Sequence, residues 1–254
     1  MDGAKNKEEE LNSEGKISKD QFSDFLEAAA HDLHAPLRKL SVLIEMVFAK
    51  YASQFNEEAK EYITRIENCI EEMRSLIDDL TELAKTDVAA TITPCDLNLI
   101  VKQSLEMMRE EIEEKHAQIH IDPLPIVQGN TVQYKQLFKN LLENAIKFNK
   151  KNASAEIEVR MELITDEKKI LFGLPNGKTY YKIEIRDNGI GFNQAYAERI
   201  FEPFVRLHSR FQYEGNGLGL SICKKIVTNH HGIIYAEGNE KEGSLFVLIL
   251  PETP

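Results

Sequence analysis

A long helical hairpin followed by a separate α/β sandwich is the architecture this sequence predicts, and three observations predict it. Apolar residues recur at steps of three and four through residues 22–51 and again through 59–83, with a short break between. Beyond residue 96 the pattern changes to helices mixed with alternating stretches, clearest at 155–164 and 181–186. Between the two regimes lies DVAATITPCD, residues 87–96, with one proline and few charges.

Residues 1–17 are polar and read as a tail or linker. Ser18 and Gln21 form a capping box, with Ile17 and Phe22 as a hydrophobic staple, so the first helix is expected to begin there. Its stripe is Phe22, Leu26, Ala29, Leu33, Leu37, Leu40, Ile44, Val47 and Tyr51. Asn56 caps the second helix, with Glu57 and Glu58 favourable in its first turn. The second stripe runs from Ala59 through Ile66, Met73 and Leu80 to Leu83. Two long helices joined by a short turn make an antiparallel hairpin over 18–88 whose seam is left exposed. A homodimer closing a four-helix bundle is the expected solution.

Residues 89–96 are the expected linker, carrying a short edge strand, and 97–254 the second domain. Asp96 caps a helix expected to reach about Glu114, and QIHID at 118–122 reads as a strand. Asn130 and Gln133 form another capping box, opening a helix to about Lys150. In the next strand Ile157, Val159, Met161 and Leu163 share one face. A turn at Asn176-Gly177 leads to a strand with Tyr181, Ile183 and Ile185 inward. A helix over 217–230 and two strands near 233–238 and 244–250 complete an antiparallel or mixed sheet with helices on one face.

The chain has 254 residues and a formal net charge of -11. That field repels nucleic acid and anionic membranes, so a phosphate-bearing ligand needs a local device to hold it. Three widely separated cysteines suit reduced thiols in a cytosol. The charged N-terminus is not a signal peptide, and no run of about 18 apolar residues spans a bilayer. A cytoplasmic segment without membrane contact is expected.

Four motifs in the second domain carry chemistry. In NLLENAIKF, Asn140, Asn144 and Lys147 lie within about 60° on one helix face. Carboxamide oxygens suit Mg²⁺ beside a polyphosphate, and Lys147 adds a cation for the phosphates. In RDNGIGF, Asp187 ends an inward apolar strand face, a costly place for a carboxylate unless a donor such as an adenine amino group meets it. Gly189 and Gly191 let the backbone pass close to a flat base. FEPFVRLHSR, with Phe204 and Arg206, reads as a lid. In EGNGLGLSICKKIV, Gly215, Gly217, Leu218 and Gly219 lead into a helix N-terminus that favours phosphate.

Taken in order, these segments resemble the asparagine box, the two glycine boxes and the phenylalanine box of the GHKL-type ATP-binding fold, and within it the catalytic domain of sensor histidine kinases. The resemblance implies ATP and Mg²⁺ as cofactors. It implies that Asp187 contacts adenine, that Asn144 coordinates the metal with Asn140 nearby, and that 201–219 covers the nucleotide. ATP-hydrolysing relatives carry a glutamate where this chain has Asn140, and an amide is a far poorer base, which points to kinase over ATPase.

The acceptor is sought on the first helix, in HDLHAPL. His31 lies two residues from both Ala29 and Leu33, about 200° off the seam, and points to solvent. Asp32 can orient its ring or take its proton, and Pro36 removes a backbone donor beside it, so a bend is expected there. The segment resembles the dimerisation and histidine-phosphotransfer domain of sensor kinases, with a flavour similar to phytochrome-related kinases. His34 shares roughly the same exposed face, but only His31 is followed by the acid. Kinases that also dephosphorylate their partner carry Thr or Asn where this chain has Ala35, so weak or absent phosphatase activity is expected. The resemblance implies autophosphorylation of His31 and transfer to an aspartate of a response regulator receiver domain. The alternative is a nucleotide-binding scaffold that transfers nothing.

Overall fold

The computed structural model describes residues 2–85, 91–150, 153–207, 213 and 215–254, with side chains from Phe25 in the first helix and as far as Leu83 in the second. The chain divides into two compact units, Met1–Val88 and Ala89–Pro254.

The first unit is two helices. Helix α1 spans Asp2–Tyr51, a short 3₁₀ turn follows at Ala52–Gln54, and α2 spans Glu57–Lys85. The start of α1 differs from the sequence reading: Ser18 lies inside the helix, and residues 2–17 are helical. That stretch has no proline and is rich in Lys and Glu, which lose little in a helix, so propagation passes the internal capping signal. Asn56 caps α2 as expected, accepting from Ala59 N–H at 2.8 Å.

The seam within the hairpin is narrow. Ala30, Leu37 and Ile70 are buried, and the Arg74 guanidinium donates across to Ser41 Oγ at 3.0 Å. Leu33, Leu40, Leu43, Met46, Val47, Tyr62, Ile66, Met73 and Leu80 stay exposed. The apolar stripes are therefore wider than one hairpin can cover.

In the second unit a five-stranded sheet carries the order β2-β4-β5-β7-β6. Its strands are β2 Gln118–Ile121, β4 Glu156–Leu163, β5 Tyr180–Asp187, β6 Ile233–Asn239 and β7 Gly243–Pro251. β2 runs parallel to β4, and the other pairs are antiparallel. Ile157, Val159, Ile183, Ile185, Phe246 and Leu248 form the inward face. Against it lie α5 (Thr131–Lys147) and α7 (Gly219–Asn229), and α3 (Leu97–Met107) packs on α5. Phe138, Leu141, Leu142 and Ala145 of α5 fill the core between layers.

Several details depart from the sequence reading. The helix capped by Asp96 breaks at buried Met108 and resumes as α4, Arg109–Glu114. A strand β3, Ile126–Gly129, pairs with β1, Thr93–Asp96, so residues 93–96 are part of this unit's own small sheet. A six-residue helix α6, Asp166–Leu171, follows β4, and the segment after it places Phe172 and Leu174 beside Ile164, Tyr180 and Ile249 on the outward face. Only half of the second capping box forms. Asn130 Oδ1 accepts from Gln133 N–H at 2.9 Å, but the Asn130 N–H donates to His230 Nε2 at 3.0 Å instead of to Gln133.

Truncating the narrow seam tests its weight. Leu37→Ala and Ile70→Ala should each cost about 2–4 kcal/mol in chemical denaturation of the chain. An unshifted midpoint would mean that the hairpin is held from elsewhere.

Candidate functional site

On the hairpin, His31 and Asp32 are exposed by 87% and 86% of their side chains. His31 Nδ1 lies 3.4 Å from Asp32 Oδ1, a long contact between neighbours in sequence. With Nδ1 directed at the carboxylate, Nε2 is the ring nitrogen left facing outward. His34 is placed differently from the expectation. Its side chain is 30% exposed, and Nε2 lies 3.1 Å from Asp78 Oδ1 on α2, so it ties the two helices together. The reason is geometric: three residues turn the side chain about 300°, enough to bring it back toward the partner helix. Pro36 sits within a continuous α1.

In the second unit the C-terminal turn of α5 gathers the motifs. The Phe148 carbonyl accepts from Ile190 N–H at 2.9 Å. A side chain at Gly189 would collide with that same carbonyl and come within 2.8 Å of Asp187 Oδ1. Asp187 is buried, and its Oδ1 accepts from Gly189 N–H at 2.8 Å and Ser244 N–H at 3.2 Å. Burial pushes its carboxyl above the usual aspartate range, against the opposing pull of those N–H donors and the Ser244 side chain. Gly191 has φ +63 and runs against the Asn239 and Gly243 carbonyls, which leaves no room for a Cβ.

Three of the α5 residues have distinct surroundings. Asn140 is buried and fully engaged: Oδ1 accepts from Gln136 at 3.0 Å, and Nδ2 donates to the Gly219 carbonyl at 3.2 Å. One turn on, Asn144 is half-buried, and its carboxamide makes no hydrogen bond among the described residues. The Lys147 ammonium lies 5.3 Å from the centre of the Phe148 ring. A Cβ on Gly215 would sit 2.7 Å from Lys147 Nζ, so the last glycine motif passes directly over that cation.

The lid segment is anchored at its ends. Phe204 has φ 64, is 60% exposed, and donates its N–H to the Gly217 carbonyl at 2.9 Å. Gly217, at φ +72, approaches the Val205 carbonyl so closely that a Cβ would lie 2.8 Å from it. Arg206 donates to the Tyr213 carbonyl at 2.8 Å, a bond within the lid itself. Leu218 is fully buried and serves by its backbone: its carbonyl accepts from Ser221 Oγ at 2.8 Å. Gly219 then opens α7 beside Asn140.

Two participants escaped sequence reasoning. Tyr213 packs its ring 5.0 Å from Phe148 and donates its hydroxyl to the Asn149 carbonyl at 3.4 Å. Ser244 supplies an N–H to Asp187 from a strand 57 residues away. An aromatic residue inside a glycine-rich lid was the available signal for the first. Nothing local announces the second. His31 and Asp32 belong to the other unit.

Known proteins place these features in one family. Residues 23–88 match the His Kinase A (phospho-acceptor) domain, and residues 129–254 match the family described as histidine kinase-, DNA gyrase B-, and HSP90-like ATPase. Cyanobacterial phytochrome A of Nostoc sp. is 34% identical over 91% of this chain and 28% of its own length. Phytochrome-like protein Cph1 of Synechocystis sp. is 34% identical over 89% of this chain and 29% of its own. The chain thus spans less than a third of these relatives. Among solved structures, the catalytic domain of histidine kinase ThkA superposes with a TM-score of 0.51 at 26% identity, covering 65% of this chain and 99% of that one. ShkA in complex with AMPPNP shares the fold at a TM-score of 0.63 and 21% identity, over 89% of this chain and 45% of that one. ThkA in complex with the response regulator TrrA does so at 0.61 and 20%, over 96% of this chain and 66% of that one. With a phospho-acceptor hairpin and a GHKL-type sandwich matched in that order, this chain belongs to the sensor histidine kinases.

Proposed function

We propose that this chain binds ATP with Mg²⁺, transfers the γ-phosphoryl group to His31, and passes it to an aspartate of a response regulator receiver domain. The observation that carries the reading is the pair on α1: an exposed imidazole whose Nδ1 faces a carboxylate and whose Nε2 faces outward. Nε2 attacks the γ-phosphorus as the bond to the ADP oxygen breaks. ADP departs with the bridging oxygen, and Asp32 holds the Nδ1 proton as the ring gains positive charge. The solved complexes of related folds with AMPPNP and with a response regulator support both halves of this sequence.

The nucleotide side divides its labour. Asp187 accepts from the adenine amino group through the carboxylate that burial makes costly. Asn144 offers Mg²⁺ a neutral oxygen not otherwise engaged among the described residues. Asn140 acts behind it, holding α5 to the start of α7. Among the described residues no group of three or more His, Cys, Asp or Glu side chains could hold a metal. A cation here therefore depends on phosphate oxygens as well as the carboxamide. Magnesium, when bound, offsets charge on the triphosphate. Lys147 supplies a second positive group on the same α5 face, and Gly189, Gly191 and Gly217 let the main chain pass close to the carbonyls of Phe148, Asn239, Gly243 and Val205 where a Cβ would intrude, while Gly215 lets it pass over the Lys147 ammonium.

The exposed apolar face of the hairpin supports a homodimer that closes a four-helix bundle. No helix among the described residues is long and apolar enough to cross a membrane.

Four experiments test the reading. Incubation with γ-labelled ATP should give acid-labile, base-stable label that disappears in His31→Gln and persists in His34→Gln. Label retained in the first variant would place the acceptor at another residue, and nucleotide binding without any label would favour the scaffold. Asp187→Asn removes the buried charge while keeping an acceptor for Gly189 and Ser244. It should weaken nucleotide affinity at least about tenfold in a fluorescent-nucleotide titration. Because the folded carboxyl titrates above its ordinary value, the wild-type carboxylate destabilises the fold as pH rises through that value. Asp187→Asn should therefore be no less stable than wild type at neutral pH, and its stability should vary less with pH across the acidic range. A large loss of stability at pH 7 would contradict this account. Ile66→Glu with Met73→Glu should convert a dimer into a monomer in sedimentation velocity, and an unchanged dimer would place the interface elsewhere.

A further inference from the structure

His230 stands at the end of α7, is 1% exposed, and has both ring nitrogens in use. Nδ1 lies 2.8 Å from the Ile226 carbonyl and so carries the proton. Nε2 lies 3.0 Å from the Asn130 backbone nitrogen, whose N–H can only donate, so Nε2 must accept. One tautomer of the neutral ring satisfies both partners. An imidazolium would set two N–H donors face to face in a buried place, and burial already holds the pKa of this histidine down. The ring is seated as well as bonded: Tyr134 lies against it at 4.4 Å, and a Cβ on Gly129 would come within 2.9 Å of His230 Cδ2.

The bond joins two elements that build the nucleotide site. Asn130 is the N-cap of α5, and His230 is the C-cap of α7. At the other end of α7, Asn140 of α5 donates to the Gly219 carbonyl. The helices are therefore antiparallel and tied twice, with the ties about 15 Å apart along α5. Asn144 and Lys147 lie on α5 beyond the second tie, and the Gly215–Gly219 turn enters α7 at it. The spacing between the metal-side carboxamide and the phosphate-side glycines depends on how α7 lies along α5.

We infer that His230 is a positioning residue of the nucleotide site: a neutral imidazole that pins the end of α7 to the start of α5 and so sets the separation of Gly219 from Asn144 and Lys147. It touches no nucleotide. The inference rests on the ATP-site reading above and adds a residue to it.

Variants of the full chain test it. His230→Phe keeps a stacking ring and loses the acceptor, and His230→Gln can return an amide oxygen to the Asn130 N–H. In autophosphorylation, Phe should raise KM for ATP about five- to tenfold with kcat within about twofold. Gln should recover most of that KM. Equal KM in wild type and both variants would overturn the inference, as would a fall in kcat alone. A second measurement needs no variant to fold. Imidazole ¹H–¹⁵N correlation spectra of the wild-type chain, with 7 histidines, should show one ring fixed as the Nδ1–H tautomer from about pH 6 to 8. A wild type in which every histidine titrates ordinarily would overturn the proposal. A wild type that takes no label from ATP defeats the kinase reading. The tautomer, and fluorescent-nucleotide affinity in the same variants, would still decide the role of His230.

Discussion

The second unit depends on one backbone junction, the carbonyl of Phe148 at the C-terminal end of α5. A helix leaves its last carbonyls without intrahelical partners. Here one of them takes the Ile190 N–H, which draws the RDNGIGF corner onto the helix that bears Asn144 and Lys147. Gly189 is required because any side chain would strike that carbonyl. The same turn presents the Phe148 ring to Tyr213 and the Lys147 ammonium to Gly215. Motifs spread over residues 140–219 are thus assembled around one helix end, with hydrogen bonds that helix termination had left unmade.

Asp187 shows the conflict between folding and binding. A carboxylate on the inward face of a central strand costs stability, and the protein compensates only in part, with N–H donors from Gly189 and Ser244. What stays uncompensated is disposition toward a ligand that can donate. Asn140 takes the opposite course. It sits where the hydrolytic relatives carry a base, yet both ends of its carboxamide are consumed in structure. A side chain so engaged cannot activate water, which in the proposed function preserves ATP for another acceptor.

The hairpin follows a different logic. His31 is built to be reached, exposed and next to its own acid, while His34 one turn later is drawn inward to Asp78. The contribution of such a half-exposed pair to stability is small. Its consequence is chemical, since the nitrogen that could compete with His31 as a nucleophile already faces a carboxylate. The apolar residues left uncovered on both helices make the kind of exposed face that soluble monomers rarely present.

Periodicity, capping and motif order were legible in the residues alone. The two stripes of threes and fours, the alternation in β4 and β5, the Asn56 and Asp96 caps and the placing of Asp187 on an inward face are local consequences of helix and strand geometry. The start of α1 is not legible at Ser18, because a capping box is permissive and does not stop a helix of good formers. The pairing of β1 with β3, the break at Met108, the half-made box at Asn130 and the His230 bond were not legible, because each joins segments distant in sequence or depends on what lies over it. The sequence by itself determined which groups this protein offers for the nucleotide binding and phosphoryl acceptance proposed for it. Only the tertiary structure decided which of them are still available: hydrogen bonds consume Asn140, Asp78 takes up His34, the Asn144 carboxamide makes no hydrogen bond among the described residues, and His31 is left exposed.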